Sequence, residues 1–220
     1  MSLGMFLVEN SSFVLECTLK ELLLVLITFS LAVALGVPLG WLCYRNEKLK
    51  GPLLELIGLL QTLPALALFG IFIAIGQQGL ITTLLLALIY TLLPVIFGTD
   101  KGLHQIDRPT LDAALGMGMT YRETLFTVML PLASPHIFRG VRKAMVAAVG
   151  MVTIATISGG GLGFLILDGM RAHNMGMTLA GALPACLLAL LADLGIGVLE
   201  KIFVPEALRR TPEQELFISK

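Results

Sequence analysis

The sequence predicts an all-α membrane protein with five transmembrane helices, its N-terminus outside the cell and its C-terminus inside. Of 220 residues, 56% are hydrophobic and only 14% are charged, and the mean hydropathy is +0.90. A soluble domain carries a smaller apolar share. Five apolar stretches are long enough to cross the hydrocarbon layer of a bilayer, which takes about 20 residues. They are Leu22–Tyr44, Pro52–Ile75, Leu80–Gly98, Ala144–Leu167 and Met177–Leu199.

These stretches divide the chain into three parts. We expect residues 1–21 to form an extracytoplasmic N-terminal segment, residues 22–200 a transmembrane domain and residues 201–220 a cytoplasmic tail. Acidic side chains outnumber lysine near the N-terminus, which is the wrong charge for a signal peptide. The first apolar stretch is therefore expected to remain as an anchor.

Basic residues determine the predicted orientation. If residues 107–131 face the cytoplasm, all of the 15 Lys and Arg residues except Lys20 and Arg171 lie on the inner side. Cytoplasmic loops of membrane proteins carry such an excess of Lys and Arg. The asymmetry predicts an outer N-terminus and an inner C-terminus.

The apolar stretches contain proline and glycine residues that affect helix geometry and packing. Each internal proline removes a helix hydrogen bond and favours a kink. Four stretches contain one, at Pro38, Pro64, Pro94 and Pro184. In the first stretch, the Gly36-x3-Gly40 pattern is typical of a close approach between two helices.

The fourth stretch contains the run Ser158-Gly159-Gly160-Gly161-Leu162-Gly163. We expect its helix to stop near Ile157, leaving a re-entrant segment or a short outer helix. Non-helical backbone at membrane depth is tolerated only against protein or water. The glycine run is therefore predicted to lie in the interior of the bundle.

Polar side chains are rare within the stretches. An ionisable group there is costly and is a candidate for function. Asp193 lies near the cytoplasmic end of the fifth stretch, so we expect it to pair or cap within the bundle. Gln61 is uncharged and precedes Thr62 and Pro64, which makes it a candidate for lining a pathway.

Residues 107–131 form a long segment between the third and fourth stretches that is not apolar enough to cross a membrane. Asp107 is a predicted helix start, with Pro109 just inside the helix. Leu111, Ala114 and Leu115 then fall on one helical face.

Two glycines are predicted to end this first helix. Gly116 and Gly118 would supply left-handed or closely approaching backbone. Thr120 and Glu123 have the spacing of a capping box, which predicts that a second helix begins at once. Pro131, together with Pro135, is expected to limit that helix at its far end. The segment is thus predicted to be a compact pair of short helices.

Several classes of function find no support in the sequence. The net charge is zero, so no basic surface for nucleic acid is predicted. The three cysteines lack C-x-x-C spacing, and the three histidines are far apart in the chain. No G-x-x-x-x-G-K-[ST] phosphate loop occurs. The sequence therefore predicts no enzyme, no metal site and no cofactor of its own.

The same segment resembles the EAA motif of ABC importer permeases, Glu-Ala-Ala-x3-Gly-x9-Ile-x-Leu-Pro. Here it reads Asp112-Ala113-Ala114, then Gly118, then Val128-Met129-Leu130-Pro131. Asp for Glu and Val for Ile are replacements of like charge or shape. The resemblance implies that the segment docks into a groove on a separate ATP-hydrolysing subunit. The implied coupling residues are Asp112, Ala113, Ala114, Gly116, Gly118, Leu130 and Pro131.

Further stretches resemble the permeases of osmoprotectant importers, which carry glycine betaine, choline, carnitine and related compounds. These are Gln61–Leu68, Ala113–Thr120, Gly159–Gly163 and Ala180–Ala185. The resemblance implies a methionine-importer-like ABC permease fold in the inner membrane of a bacterial or archaeal cell. It also implies two ATPase subunits, an extracytoplasmic substrate-binding protein and a second permease chain, either identical or a sister chain. The predicted pathway residues are Gln61, Thr62, Pro64, Ser158, Gly159, Gly160 and Gly161.

Other interpretations remain open at this point. A permease of the same architecture could carry another solute, such as methionine or another amino acid. A channel or ion-driven carrier would need coupling residues in the membrane, and Asp193 is the sole candidate. A membrane scaffold would leave the spacing of residues 112–131 unexplained.

Overall fold

The computed structural model describes residues 3–76, 79–156 and 160–209, and these ranges contain helices and no strands. The elements are α1 (Leu3–Arg45), α2 (Glu47–Thr62), α3 (Ala65–Ala74), α4 (Leu80–His104), α5 (Arg108–Gly116), α6 (Tyr121–Thr124), α7 (Leu130–Ala155), α8 (Leu162–Arg171), α9 (Met175–Phe203) and α10 (Glu206–Arg209). A π turn at Leu125–Met129 joins α6 to α7. The predicted all-α class is confirmed.

Among the described helices, three are long and apolar enough to cross a membrane: Phe6–Arg45, α4 and α9. The second predicted span is divided into α2 and α3, which are bent by 89° and make a fourth span if counted together. The fourth predicted span is divided as well. Its helix α7 carries Arg139, Arg142 and Lys143 before the apolar part begins at Ala144. The five-span count therefore stays a prediction.

Helix α1 runs through the boundary predicted at residue 21. Within it, Asn10 departs from helical geometry, with φ −124° and ψ 24°. Phe6 and Cys17 pack with Leu162 and Leu165 of α8 in one apolar cluster. The part of α1 from Phe6 to Cys17 is thus packed against the bundle.

Helix α4 is the centre of the bundle and packs directly against α7. A Cβ on Gly98 of α4 would lie 2.8 Å from the carbonyl oxygen of His136 in α7. A Cβ on Gly140 of α7 would overlap the carbonyl oxygen of Pro94 in α4. The two backbones touch here because neither glycine carries a side chain.

A second close contact joins α1 to α4. A Cβ on Gly36 would lie 2.7 Å from the Cβ of Val95, and one on Gly40 would lie 2.7 Å from the Ile96 carbonyl oxygen. The close approach predicted from the Gly36-x3-Gly40 pattern is confirmed.

The charged residue of the fifth stretch is paired inside the bundle, as predicted. Asp193 of α9 accepts hydrogen bonds from the guanidinium group of Arg142 in α7, with 2.6 Å between Nη2 and Oδ2. A paired carboxylate avoids the cost of leaving a lone charge in apolar surroundings. The pair also ties α9 to α7.

The backbone contact between α4 and α7 makes a direct prediction. Gly140→Ala should destabilise the protein by about 1–3 kcal/mol, because the added methyl group meets backbone that cannot move aside. Gly150→Ala, in the same helix, is the matched control, since a Cβ there meets nothing within 4 Å. Thermal unfolding of the purified, detergent-solubilised protein measures both. Equal melting temperatures for the two variants would contradict the contact.

Candidate functional site

The segment at residues 107–131 begins as predicted. Asp107 has extended backbone, with φ −67° and ψ 144°, and α5 follows it with Pro109 in the first turn. The Asp107 carboxylate accepts a hydrogen bond from the Thr110 hydroxyl, with 2.7 Å between the oxygens. The interaction fixes the entry of the chain into the helix.

Only part of the predicted apolar face of α5 is covered by the bundle. Ala114 is buried, and Leu111 packs with Leu103 and Met129 at the end of α4 and in the π turn. Leu115 instead leaves half of its surface exposed. Helix α5 is therefore held to the bundle by one edge and presents the other outward.

A glycine turn ends α5. Gly118 has φ +86°, the left-handed region that glycine adopts without strain. The Gly118 amide donates to the Leu115 carbonyl at 2.9 Å and the Met119 amide to the Ala114 carbonyl at 3.3 Å. This is the hydrogen-bond pattern of a Schellman motif.

The prediction for the other glycine was wrong. Gly116 is the last residue of α5, and its φ is not positive. A Cβ on Gly116 would meet no atom of the described chain within 4 Å. Gly118 alone allows the chain to reverse, so the turn does not require a glycine at position 116.

The predicted capping box is present. The Glu123 amide donates to the Thr120 hydroxyl at 3.3 Å, and the Thr120 amide donates to the Glu123 carboxylate at 2.7 Å. The hydrogen bond from the Thr120 backbone lowers the pKa of Glu123, because it stabilises the charged form. The carboxylate therefore keeps its capping role at neutral pH.

The second helix does not end at Pro131 and Pro135, contrary to the prediction. Both prolines lie inside the helical run that continues to Ala155. The π turn just before Pro131 explains this, since the Leu130 amide bonds to the Leu125 carbonyl five residues earlier. A wider turn separates the proline ring from the preceding carbonyl groups. Helices α6 and α7 thus form one continuous rod.

Large apolar side chains of the segment are exposed alongside charged ones such as Arg108 and Arg122. Leu115, Met117, Tyr121 and Phe126 are exposed by 50%, 73%, 45% and 65%. Large apolar side chains grouped on an exposed surface are typical of an interaction site. Of the predicted coupling residues, Ala114 is buried, Leu130 is partly buried and the rest are exposed. The exposed ones are Asp112, Ala113, Gly116, Gly118 and Pro131.

The end of α1 braces the same segment. The guanidinium carbon of Arg45 lies 5.6 Å from the centre of the Trp41 ring and 6.0 Å from that of Tyr121. Such cation–π contacts are each worth about 0.5–1 kcal/mol at exposed sites. The segment at residues 107–131 is thus held by α1 as well as by α4.

The predicted pathway residues of the second span surround the break between α2 and α3. Pro64 precedes α3, and the Thr62 hydroxyl donates to the Leu59 carbonyl of its own helix. The Gln61 amide group reaches α4 and donates to the carbonyl oxygens of Ile89 and Tyr90. One side chain therefore connects the break to a neighbouring helix.

Of the remaining predicted pathway residues, Gly160 and Gly161 directly precede α8. Ser158 and Gly159 lie outside the described residues. Gly160 has φ +71°, and a Cβ on Gly161 would lie 2.6 Å from Thr156. Helix α7 ends at Ala155, close to the predicted stop. The glycines here allow both the reversal of the chain and its close packing.

Comparison with known proteins decides the family. Residues 22–205 match the model of the family described as binding-protein-dependent transport system inner membrane component. The chain belongs to this family. It is 36% identical to the osmoprotectant import permease protein OsmW of Salmonella typhimurium, over 93% of this chain and 98% of that one. It is 37% identical to the glycine betaine/carnitine/choline transport system permease protein OpuCD of Bacillus subtilis, over 92% and 90%.

The fold has a solved counterpart. A chain of the MetNI methionine ABC transporter in an inward-facing conformation superposes with a TM-score of 0.78, covering 90% of this chain and 99% of that chain at 16% identity. The expected methionine-importer-like fold is confirmed. The resemblance to permeases of this family, first seen in residues 112–131, is confirmed by the family match.

One buried residue of this family member escaped the sequence analysis. Glu21 of α1 has no exposed surface, and its carboxylate accepts hydrogen bonds from the Thr153 and Thr156 hydroxyls and from the Leu162 amide. It thereby joins α1 to the end of α7 and the start of α8. Cys17, one turn earlier, lies 3.8 Å from the Gly160 carbonyl oxygen.

A signal for Glu21 does exist in the sequence. Val14, Cys17, Glu21, Leu24 and Thr28 follow one another at alternating spacings of three and four residues, and all five are buried. That spacing marks one face of a helix. A glutamate in register with a buried face indicates a partnered carboxylate, because an unpartnered one would be costly.

Glu21 is therefore expected to stabilise the permease. Glu21→Leu leaves the Leu162 amide without its acceptor, at about 1–3 kcal/mol, whereas the Thr153 and Thr156 hydroxyls have carbonyl groups of α7 within reach. Glu21→Gln keeps one acceptor oxygen and should cost less. Glu16 is an exposed glutamate of the same helix, so Glu16→Leu is the control. If thermal unfolding shows Glu21→Leu to be as stable as Glu16→Leu, the carboxylate does not hold the turn.

Proposed function

We propose that this permease forms the translocation pathway of an ATP-driven importer for quaternary-ammonium osmoprotectants such as glycine betaine, choline or carnitine. The similarity to permeases named for these solutes supports the substrate class. The observation that carries the proposal is the segment at residues 107–131, called the coupling segment from here on. It is fixed by local hydrogen bonds, continuous with α7, and exposes large apolar side chains. ATP hydrolysis belongs to a separate subunit.

The coupling segment suits a docking role for two reasons. Its backbone is fixed by the Schellman turn at Gly118 and the Thr120–Glu123 capping box, so it loses little freedom on binding. Its exposed Leu115, Met117 and Phe126 supply apolar area for a partner groove. Asp112 adds an exposed charge at the rim. The partner is an ABC ATPase subunit, and two are needed for a pair of permease chains.

The proposed orientation places the coupling segment in the cytoplasm, the N-terminus outside and the C-terminus inside. Arg45, Lys50 and Lys101 lie at the same end of the bundle as the segment: Arg45 contacts Tyr121, and Lys50 pairs with Asp100 at 2.7 Å. This clustering of cations supports the orientation through the positive-inside rule. The fourth span of the proposal is the apolar part of α7 together with α8.

A second permease chain and an extracytoplasmic binding protein complete the proposed assembly, in the inner membrane of a bacterial or archaeal cell. One bundle of this size cannot surround a solute, so two must face each other. The second chain is either a copy of this one or a sister chain. Aromatic residues, the usual partners of quaternary ammonium groups, make up 7% of the sequence. Substrate recognition therefore lies mainly in the binding protein.

The pathway itself is proposed to be weakly binding and largely apolar. Its lining would include Gln61, Thr62 and Pro64 at the break between α2 and α3, and residues 158–161 at the turn before α8. Closure of the ATPase dimer would displace the two coupling segments and exchange an inward-open cavity for an outward-open one. The two states must differ in affinity for ATPase or solute, or ATP could not shift their populations.

The proposal predicts a sharp difference between two substitutions at one position. Gly118→Val should reduce ATP-driven uptake by about tenfold or more, because a left-handed backbone costs a residue with a Cβ roughly 1–2 kcal/mol and a β-branched one more. Gly118→Asn should keep most of the uptake, since Asn tolerates this backbone. The measurement is glycine betaine uptake by proteoliposomes that contain the complete complex, with ATP inside.

The same preparation tests the substrate class. Unlabelled choline and carnitine should compete with labelled glycine betaine, and methionine should not. Competition by methionine or another amino acid alone would reassign the solute. Uptake that persists without ATPase subunits would indicate a channel or an ion-driven carrier.

A further inference from the structure

The break between α2 and α3 is joined to α4 by reciprocal hydrogen bonds between side chains and backbone carbonyls. The break between α2 and α3 leaves a carbonyl group without its helical donor, and so does Pro94 within α4. In each case, the missing donor is supplied by a side chain of the other helix. The residues involved are Gln61 and Tyr90.

The first half of this arrangement supplies a donor to the Tyr90 carbonyl of α4, which Pro94 leaves without its helical partner. In a regular helix, the amide of residue 94 would donate to the carbonyl of Tyr90, but proline has no amide hydrogen. The Gln61 Nε2 group donates to that carbonyl at 3.1 Å and to the adjacent Ile89 carbonyl at 3.2 Å. Gln61 replaces the hydrogen bond that Pro94 removes.

The second half satisfies the break between α2 and α3. In a continuous helix, the Ala67 amide would reach the Leu63 carbonyl, but here it donates to the Pro64 carbonyl at 2.9 Å. The Tyr90 hydroxyl donates to the Leu63 carbonyl. The Tyr90 carbonyl thus accepts a hydrogen bond from Gln61, and the Tyr90 hydroxyl donates one to Leu63, two residues beyond Gln61.

A continuous series of backbone connections and contacts links these hydrogen bonds to the coupling segment. The segment continues through the π turn into α7. Gly140 of α7 rests against the Pro94 carbonyl of α4. One helical turn before Pro94 is Tyr90, which is bonded to the break. A displacement of α7 would therefore move α4 at Pro94 first, and then the break between α2 and α3.

We propose that Gln61 and Tyr90 are positioning residues that lock the break between α2 and α3 to α4 beside Pro94, so that motion of the coupling segment reaches the pathway. This role rests on the proposed function. It gives Gln61 a role other than contact with the solute. Because the chain bends by 89° between α2 and α3, a small displacement of α4 at Pro94 changes the position of α3.

The test uses substitutions that remove one hydrogen bond and little volume. Gln61→Met keeps the length of the side chain and loses its donors, and Tyr90→Phe loses only the hydroxyl. In proteoliposomes with the complete complex, both should keep ATP hydrolysis within about twofold while glycine betaine transported per ATP falls by about fivefold or more, the size expected for one lost contact between coupled sites. Leu59→Met and Tyr44→Phe are the matched controls and should leave this ratio unchanged.

A third substitution distinguishes a specific effect of the Gln61 and Tyr90 hydrogen bonds, together called the latch, from general damage to the protein. Pro94→Ala restores an amide that can donate to the Tyr90 carbonyl, so Gln61→Met in the Pro94→Ala protein should change the transport ratio by less than about twofold. An equal loss in both backgrounds would overturn the proposal. So would an unchanged ratio in Gln61→Met and Tyr90→Phe. Failure of both variants to assemble would assign the bonds to folding and overturn the role in transport.

Failure of the latch is distinguishable from failure of the proposed function. If this chain is not an ATP-driven permease for these solutes, the unmodified complex shows no ATP-dependent uptake of glycine betaine. If only the latch is wrong, the unmodified complex transports and the variants transport equally well per ATP.

Discussion

Contact between the backbones of α4 and α7 is the constraint on which the rest of the structure depends. Gly98 and Gly140 remove the side chains that would separate the two helices, and the Pro94 carbonyl lies against Gly140. Side-chain packing can slide between rotamers, but touching backbones have little freedom to move apart without losing contact. Helix α7 extends the coupling segment, and α4 holds the second span through Gln61. The glycine contact therefore joins the segment at residues 107–131 to the break between α2 and α3.

The coupling segment combines a locally fixed backbone with exposed apolar side chains. Its turn and capping box rely on interactions between residues close in sequence, so the segment holds its shape without a partner. Ala114 and Leu111 attach it to the end of α4, while Arg45 of α1 braces Tyr121. The π turn lets Pro131 enter a continuous helix in place of ending one. These features together make the segment a firmly held extension of α7, as the proposed docking to an ATPase subunit requires.

Much of this was predictable from sequence because the signals are local. The left-handed Gly118, the Thr120–Glu123 box and the start of α5 all depend on neighbours within a few residues. Predictions failed where the decisive partner lies far along the chain or where two local signals compete. Pro131 normally ends a helix, but a π turn just before it changes the geometry. Gln61 was recognised as unusual, yet its partners at residues 89 and 90 could not be inferred from spacing. Glu21 entered only as one of the acidic side chains near the N-terminus, because its acceptor role involves residues more than a hundred positions away.

The account is tested most directly by the accessibility of Met117, the most exposed apolar side chain of the coupling segment. A single cysteine at this position, in a protein whose three native cysteines are replaced, can be labelled with a membrane-impermeant thiol reagent in inside-out and right-side-out vesicles. The account predicts labelling only in inside-out vesicles, and protection from labelling when the ATPase subunits are bound. Labelling in right-side-out vesicles, or equal labelling with and without ATPase subunits, would contradict it.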